Sequence, residues 1–208
     1  MTKSCLALLE IRPHVACMSD QNDSIDLNGK LLIAMPGMGD PRFAKSVVFM
    51  CSHSDDGAMG LIVNKPTPDL LLDDLLEQLE INKGTGARDI RVHFGGPVEH
   101  GRGFVLHSGD YGSDDTTMEI DDNFGMTATQ DILEALACGS GPDTAILMLG
   151  YAGWEPGQLE HEIADNGWLV ADASPEIVFG ADSSGKWSAA LKTLGIDPLL
   201  LSAAAGRA

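Results

Sequence analysis

Basic residues are scarce in this chain: 13 lysines and arginines stand against 31 aspartates and glutamates, giving a formal net charge of -18 over 208 residues. Such a surface repels phosphate backbones and anionic lipid, because nucleic-acid binding rests on neutralisation by Lys and Arg. No basic run exists; Arg88, Arg91 and Arg102 are the one set that could gather into a local patch. Direct nucleic-acid binding is therefore not expected. Paired cysteines are missing too. Cys5, Cys17, Cys51 and Cys138 lie far apart and form no C-x-x-C, which excludes a zinc knuckle and a thioredoxin-like redox pair. Free thiols fit a reducing cytoplasm, the expected location.

No apolar run approaches the roughly 20 residues that span a bilayer, so no membrane association is expected. Glu10 and Arg12 interrupt the short apolar piece near the N-terminus, which argues against a secretory signal. The organised pattern begins only at Leu27. Residues 1–26 read as a disordered or extension segment, with Met18 a candidate start, and residues 27–208 as one domain long enough to bury a core.

Within that domain, Leu31–Pro66 dominates. Two apolar runs, Val47–His53 and Ala58–Asn64, flank the polar turn Ser54-Asp55-Asp56-Gly57, the pattern of a β-hairpin. Alternation places Val47, Phe49, Cys51 and His53 on one face and Val48, Met50 and Ser52 on the other. Both faces are largely apolar, so the hairpin is expected to be covered on both sides. Ahead of it, strand Leu27–Met35 ends in the constrained loop Pro36-Gly37-Met38-Gly39-Asp40-Pro41.

Farther along, Thr67-Pro68-Asp69 has the chemistry of a helix start, followed by a leucine stripe at 71, 72, 75, 76 and 79. Asp89–Phe94 and Gly103–His107 read as neighbouring antiparallel strands, and 117–120 with 124–128 as a second hairpin. Thr127 to Gln130 has capping-box spacing before a helix ending at Gly139. Thr144–Leu149 reads as a central strand, Gly150–Trp154 as a strand-to-helix turn, and Pro156–Asp165 as a short helix. Trp168–Val170 is a further strand, Pro175–Phe179 a helical turn and Trp187–Leu194 a last helix.

Several phrases together resemble one bacterial family, AlgH/YqgE: LNGKLLIAMPGMGDPRFAKSVVFMCSH, GAMGLIVNKP, VHFGGPV, GFVLH, and GYAGWEPGQLEHEI followed by Trp168. The resemblance implies a compact α+β domain, its mixed, largely antiparallel sheet curled towards a barrel or sandwich with helices packed against it. The family's common label is transcriptional regulator. No helix-turn-helix pattern supports operator recognition here and the charge has the wrong sign, so an indirect role through a protein partner or small ligand is expected.

Three groups of residues could carry chemistry. Cys51 with His53 could form a thiolate sensor or nucleophile; the alternative is a buried cysteine packed with Val47 and Phe49. Gly37, Gly39, Asp40 and Arg42 could present backbone N–H groups to a ligand, although the loop lacks a G-x-x-x-x-G-K-[ST] arrangement and a forced turn explains it equally. Tyr151, Trp154, Glu155 and Gln158, with Glu162 at helical spacing, could wall an aromatic pocket whose carboxylates bind a ligand or act as general acid and base; otherwise Trp154 is a core anchor. His161 and Asp165 have i,i+4 ligand spacing without a third ligand, and His93, His100 and His107 surround one glycine turn. No residue set calls for a metal or cofactor, and the expected activity is binding rather than catalysis.

Overall fold

The computed structural model describes residues 26–88, 90–112 and 116–201; Met18, Cys5, Cys17 and Asp89 lie outside the described residues. The chain runs β1 (Lys30–Ala34), β2 (Val47–Ser54), β3 (Gly57–Ile62), β4 (Pro66–Leu71), α1 (Leu72–Gln78), β5 (Arg91–Phe94) and β6 (Val98–Ser108). It continues through β7 (Thr117–Asp121), β8 (Phe124–Thr127), α2 (Gln130–Cys138), β9 (Ala145–Trp154), α3 (Gln158–Ala164), β10 (Trp168–Asp172), α4 (Pro175–Val178) and α5 (Lys186–Thr193). The strands form one ten-stranded curled sheet in the order β10-β1-β2-β3-β9-β6-β8-β7, with β5 beside β9 and β4 beyond it. All pairings are antiparallel except β5 with β9. This is the mixed α+β fold expected from the sequence.

The β2–β3 hairpin forms as its alternation requires, with Ser54 opposite Gly57. Val47, Phe49, Leu61 and Val63 point into a core closed by Val178, Trp187 and Leu191 of α4 and α5. Val48, Met50 and Ile62 face the other way, against Trp154, Leu159 and Trp168. Helices α1 and α2 cover a third cluster built on Val92, Val105 and Leu147. With apolar side chains on both faces, the hairpin stays still only when covered twice.

Strand β9 joins the two halves of the sheet. Its first half lies between β5 and β6; its second half pairs with β3 through Ala58↔Trp154 and Gly60↔Ala152. The change of neighbour occurs at Gly150, whose φ is 72° and where an added Cβ would lie 2.6 Å from the Gly96 carbonyl oxygen. Only glycine fits both demands. Gly150–Trp154 is thus a continuation of the strand through a kink, not the strand-to-helix turn expected from its glycines.

Three other local expectations are corrected. Thr67-Pro68-Asp69 does not open a helix: it lies in β4, where the Thr67 hydroxyl donates to the Val92 carbonyl at 2.8 Å, and α1 begins at Leu72. Strand β4 pairs with β5 alone, and an edge position tolerates Pro66 and Pro68. β5 and β6 are not paired with each other, because β9 lies between them. Thr127 belongs to β8, and Thr129 is the N-cap position of α2. Among the described residues no helix is long and apolar enough to cross a membrane.

Candidate functional site

The loop after β1 is pinned from the end of β3. Asn64 accepts from the Val47 N–H at 2.8 Å and donates its amide to the Lys45 carbonyl at 2.8 Å. Lys65 donates its ammonium to the Arg42 carbonyl, and burial lowers its pKa. Within the loop, Asp40 accepts from the Arg42 N–H at 2.9 Å and caps the 3-10 turn Pro41–Phe43. The Arg42 guanidinium also grips this carboxylate through Nε at 3.0 Å and Nη2 at 2.7 Å. Those hydrogen bonds hold Asp40 below the usual carboxylate range.

Facing the loop are the end of β9 and the first turns of α3. Glu162 is the centre of this wall. Its Oε2 accepts from the indole N–H of Trp154 at 3.0 Å and from that of Trp168 at 2.7 Å. Its Oε1 accepts from the Gln158 amide at 2.9 Å, and Gln158 Oε1 accepts from the Glu155 N–H at 3.0 Å. The two indoles meet edge to face at 5.9 Å, and Phe43 packs edge to face on Trp168 at 5.5 Å. Both tryptophans are buried, so Glu162 supplies the partners that their N–H groups need.

Between loop and wall lies a cleft of about 650 Å³. Gly37, Gly39, Asp40, Arg42, Trp154 and Gln158 all line it, so residues more than a hundred positions apart in sequence share one surface. Tyr151 and Glu155 do not join them. They line a second concavity of about 920 Å³ with Ser52, Met59, Phe104 and Met126; the two hollows share Val98, Gly153 and Trp154.

Cys51 and His53 stand apart from the cleft and from each other. The β2–β3 register shifts between Met50 and Ser52, leaving Cys51 as the extra residue of a β-bulge. Cys51 stays in the inner core with Phe49, whereas His53 pairs with Ala58 on the opposite face and reaches Glu160 of α3 at 2.6 Å. Simple alternation put them on one face; one inserted residue reverses the parity. Burial pushes the Cys51 thiol far up, away from thiolate character.

The remaining candidates also separate. His93 approaches Ser183 Oγ at 3.3 Å, His107 approaches Thr127 Oγ1 at 3.0 Å, and His100 stacks on Phe94. His161 and Asp165 lie 3.4 Å apart on exposed positions of α3. Arg88 binds the carbonyls of Pro142 and Asp143, Arg91 that of Ala181, and Arg102 pairs with Glu99. They do not act as one patch.

Sequence reading missed two features. The joint service of Glu162 to Trp154 and Trp168 had a signal in the carboxylate at helical spacing between two tryptophans. The run Gly180–Lys186 also has G-x-x-x-x-G-K spacing, followed by Trp187. It is closed on itself: Asp182 accepts from Ser184 Oγ at 2.6 Å and Gly185 N–H at 3.1 Å, and Lys186 turns inward to the Val63 and Val178 carbonyls.

A family model described as AlgH-like matches residues 31–199. A UPF0301 protein of Ruegeria pomeroyi is 64% identical over 185 residues, spanning 88% of this chain and 100% of that one. One from Cereibacter sphaeroides is 60% identical over 184 residues, with 88% and 100% covered. Among solved structures, the AlgH protein of Pseudomonas aeruginosa matches with a TM-score of 0.73 at 42% identity, covering 91% of this chain and 100% of that chain. A Corynebacterium diphtheriae protein shares the fold, with a TM-score of 0.64 at 22% identity over 85% of this chain and 90% of that one. The chain belongs to the AlgH-like family.

Proposed function

We propose that this protein acts by binding, holding a small ligand or a segment of a protein partner in the cleft between the Gly37–Arg42 loop and α3. Any effect on transcription is then indirect, exerted through the bound partner rather than by contact with DNA. The observation that carries this reading is the preorganised wall of the cleft: a carboxylate fixed by three N–H donors, opposite a loop pinned by Asn64 and Lys65. Groups held rigidly before binding lose little freedom on binding.

Catalysis is less well supported. Among the described residues lining the cleft, the side chains able to move a proton are the carboxylates of Asp40, Glu162 and Asp165, and the first two are already engaged by Arg42 and by indole and amide N–H donors. The thiol alternative loses its base, since His53 lies across the sheet from Cys51. A net charge of -18 argues against DNA contact, and the free thiols argue for a cytoplasmic setting.

The test uses Gly39, which lines the cleft and whose Cβ position meets nothing within 4 Å. A Cβ added there meets no neighbour, so Gly39→Phe adds a ring at the rim of the cleft to obstruct it. A ligand screen read by thermal shift should find compounds that raise Tm in the native protein and not in this variant. Ligands that stabilise both proteins equally would place binding elsewhere.

A further inference from the structure

We infer that the cleft receives the guanidinium of an arginine on an extended, basic segment of a partner protein; this rests on the reading of the cleft as a binding site. The first ground is hydrogen-bond capacity. An ionised carboxylate offers about four acceptor positions. On Glu162, two indoles and the Gln158 amide occupy three of them, leaving one on Oε1. What that position can take is a donor.

The second ground is charge. The cleft is lined by three carboxylates, Asp40, Glu162 and Asp165, against one guanidinium, Arg42. Arg42 is already committed to Asp40, so Glu162 and the exposed Asp165, the C-cap of α3 whose Oδ2 lies 3.4 Å from His161, are the carboxylates with acceptor positions left for a ligand. An anionic group would meet net repulsion here.

The third ground is shape. Phe43, Met38 and Trp154 supply flat and polarisable walls beside the carboxylates. A guanidinium stacks on such surfaces while donating in its plane, whereas an ammonium holds its water more tightly. The second concavity shares Val98, Gly153 and Trp154 with the cleft and offers further surface to backbone flanking the arginine. The charge of -18 also draws a basic segment from a distance.

The experiment titrates the whole protein with the blocked peptide acetyl-Gly-Ser-Arg-Ser-Gly-amide, with the same peptide carrying citrulline for arginine, and with free arginine. Tryptophan emission reports binding, because two of the three tryptophans lie at the cleft. The arginine peptide should give a saturable, salt-sensitive change. Citrulline should bind about tenfold more weakly or worse, a loss of about 1.4 kcal/mol. Asp165→Asn, at an exposed position, should weaken binding several-fold, and Gly39→Phe should abolish it. Equal binding of the citrulline peptide overturns the inference, as does arginine binding that Gly39→Phe leaves intact. Free arginine binding as tightly as the peptide removes the segment. If these probes fail while a neutral or anionic ligand gives a Gly39→Phe-sensitive signal, the cationic inference falls and the binding function stands. If no ligand class is sensitive to Gly39→Phe, both fall.

Discussion

Asn64 donates its side-chain amide to the carbonyl of Lys45 at 2.8 Å, and Lys45 is held at a φ of 53°. A non-glycine residue in this left-handed region costs about 1–2 kcal/mol, so something must hold it there. Asn64 does so with both ends of its amide, since its oxygen also accepts from the Val47 N–H. Asn64→Ala should lower stability by about 2 kcal/mol, from two lost hydrogen bonds. Lys45→Gly, which removes the strain, should recover part of that loss in the double variant. Urea unfolding of the four proteins measures both terms; independent, additive effects would mean that Asn64 does not hold Lys45.

The tryptophan–carboxylate wall gives a second expectation. Glu162→Gln turns part of an all-acceptor group into a donor that must face an indole N–H or the Gln158 amide. The loss should be about 1–3 kcal/mol, with one buried donor left unpaired. Thermal unfolding and a shift in tryptophan emission check it. A variant as stable as the parent would show that the wall is not held by Glu162.

Stability should depend on pH at both ends through one buried cluster. His93 is buried beside Ser183, and burial lowers its pKa to about 4, with Lys186 and Arg91 adding repulsion. The unfolded chain therefore takes up this proton first as pH falls. Stability is lost between the ordinary value of 6.5 and about 4. Burial likewise lowers Lys186 from 10.5 to about 8, so the fold releases a proton that the unfolded chain keeps, and stability rises with pH across that window. His93→Gln should flatten the acid slope and Lys186→Met the alkaline one. Chemical denaturation across pH reads both; unchanged slopes would contradict the assignment.

Cys51 should not react in the folded protein. Its side chain is buried and its thiol pushed up, whereas Cys138 is exposed. Peptide mapping after brief thiol alkylation should find Cys138 modified and Cys51 protected until denaturant is added. Rapid native labelling of Cys51 would revive the sensor reading.

What the sequence made legible was whatever local pattern decides. Alternation in Val47–Phe49 and Leu61–Val63 correctly implied a hairpin covered on both faces, and Gly139 ended α2 as its left-handed φ requires. Pairing between distant strands was less accessible. Nothing local to Arg91–Phe94 says that β9 rather than β6 lies beside it. The Cys51 bulge was invisible because it depends on how β2 meets β3, and it alone undid the Cys51–His53 pair. The Thr67-Pro68 helix start was overridden by sheet pairing to β5. For the cleft, the loop and the Trp154 wall could each be named from sequence, but their meeting depends on β10 bringing Trp168 back beside Glu162.

The most direct measurement follows the indole N–H signals of Trp154, Trp168 and Trp187 by NMR during ligand and peptide titration. Trp154 and Trp168 donate to Glu162 at the cleft, while Trp187 donates to the Ala34 carbonyl in the core. Binding at the cleft should move the first two signals together, leave the third in place, and vanish in Gly39→Phe. Ligands that bind while leaving Trp154 and Trp168 unmoved, or that move them equally in Gly39→Phe, would contradict the account.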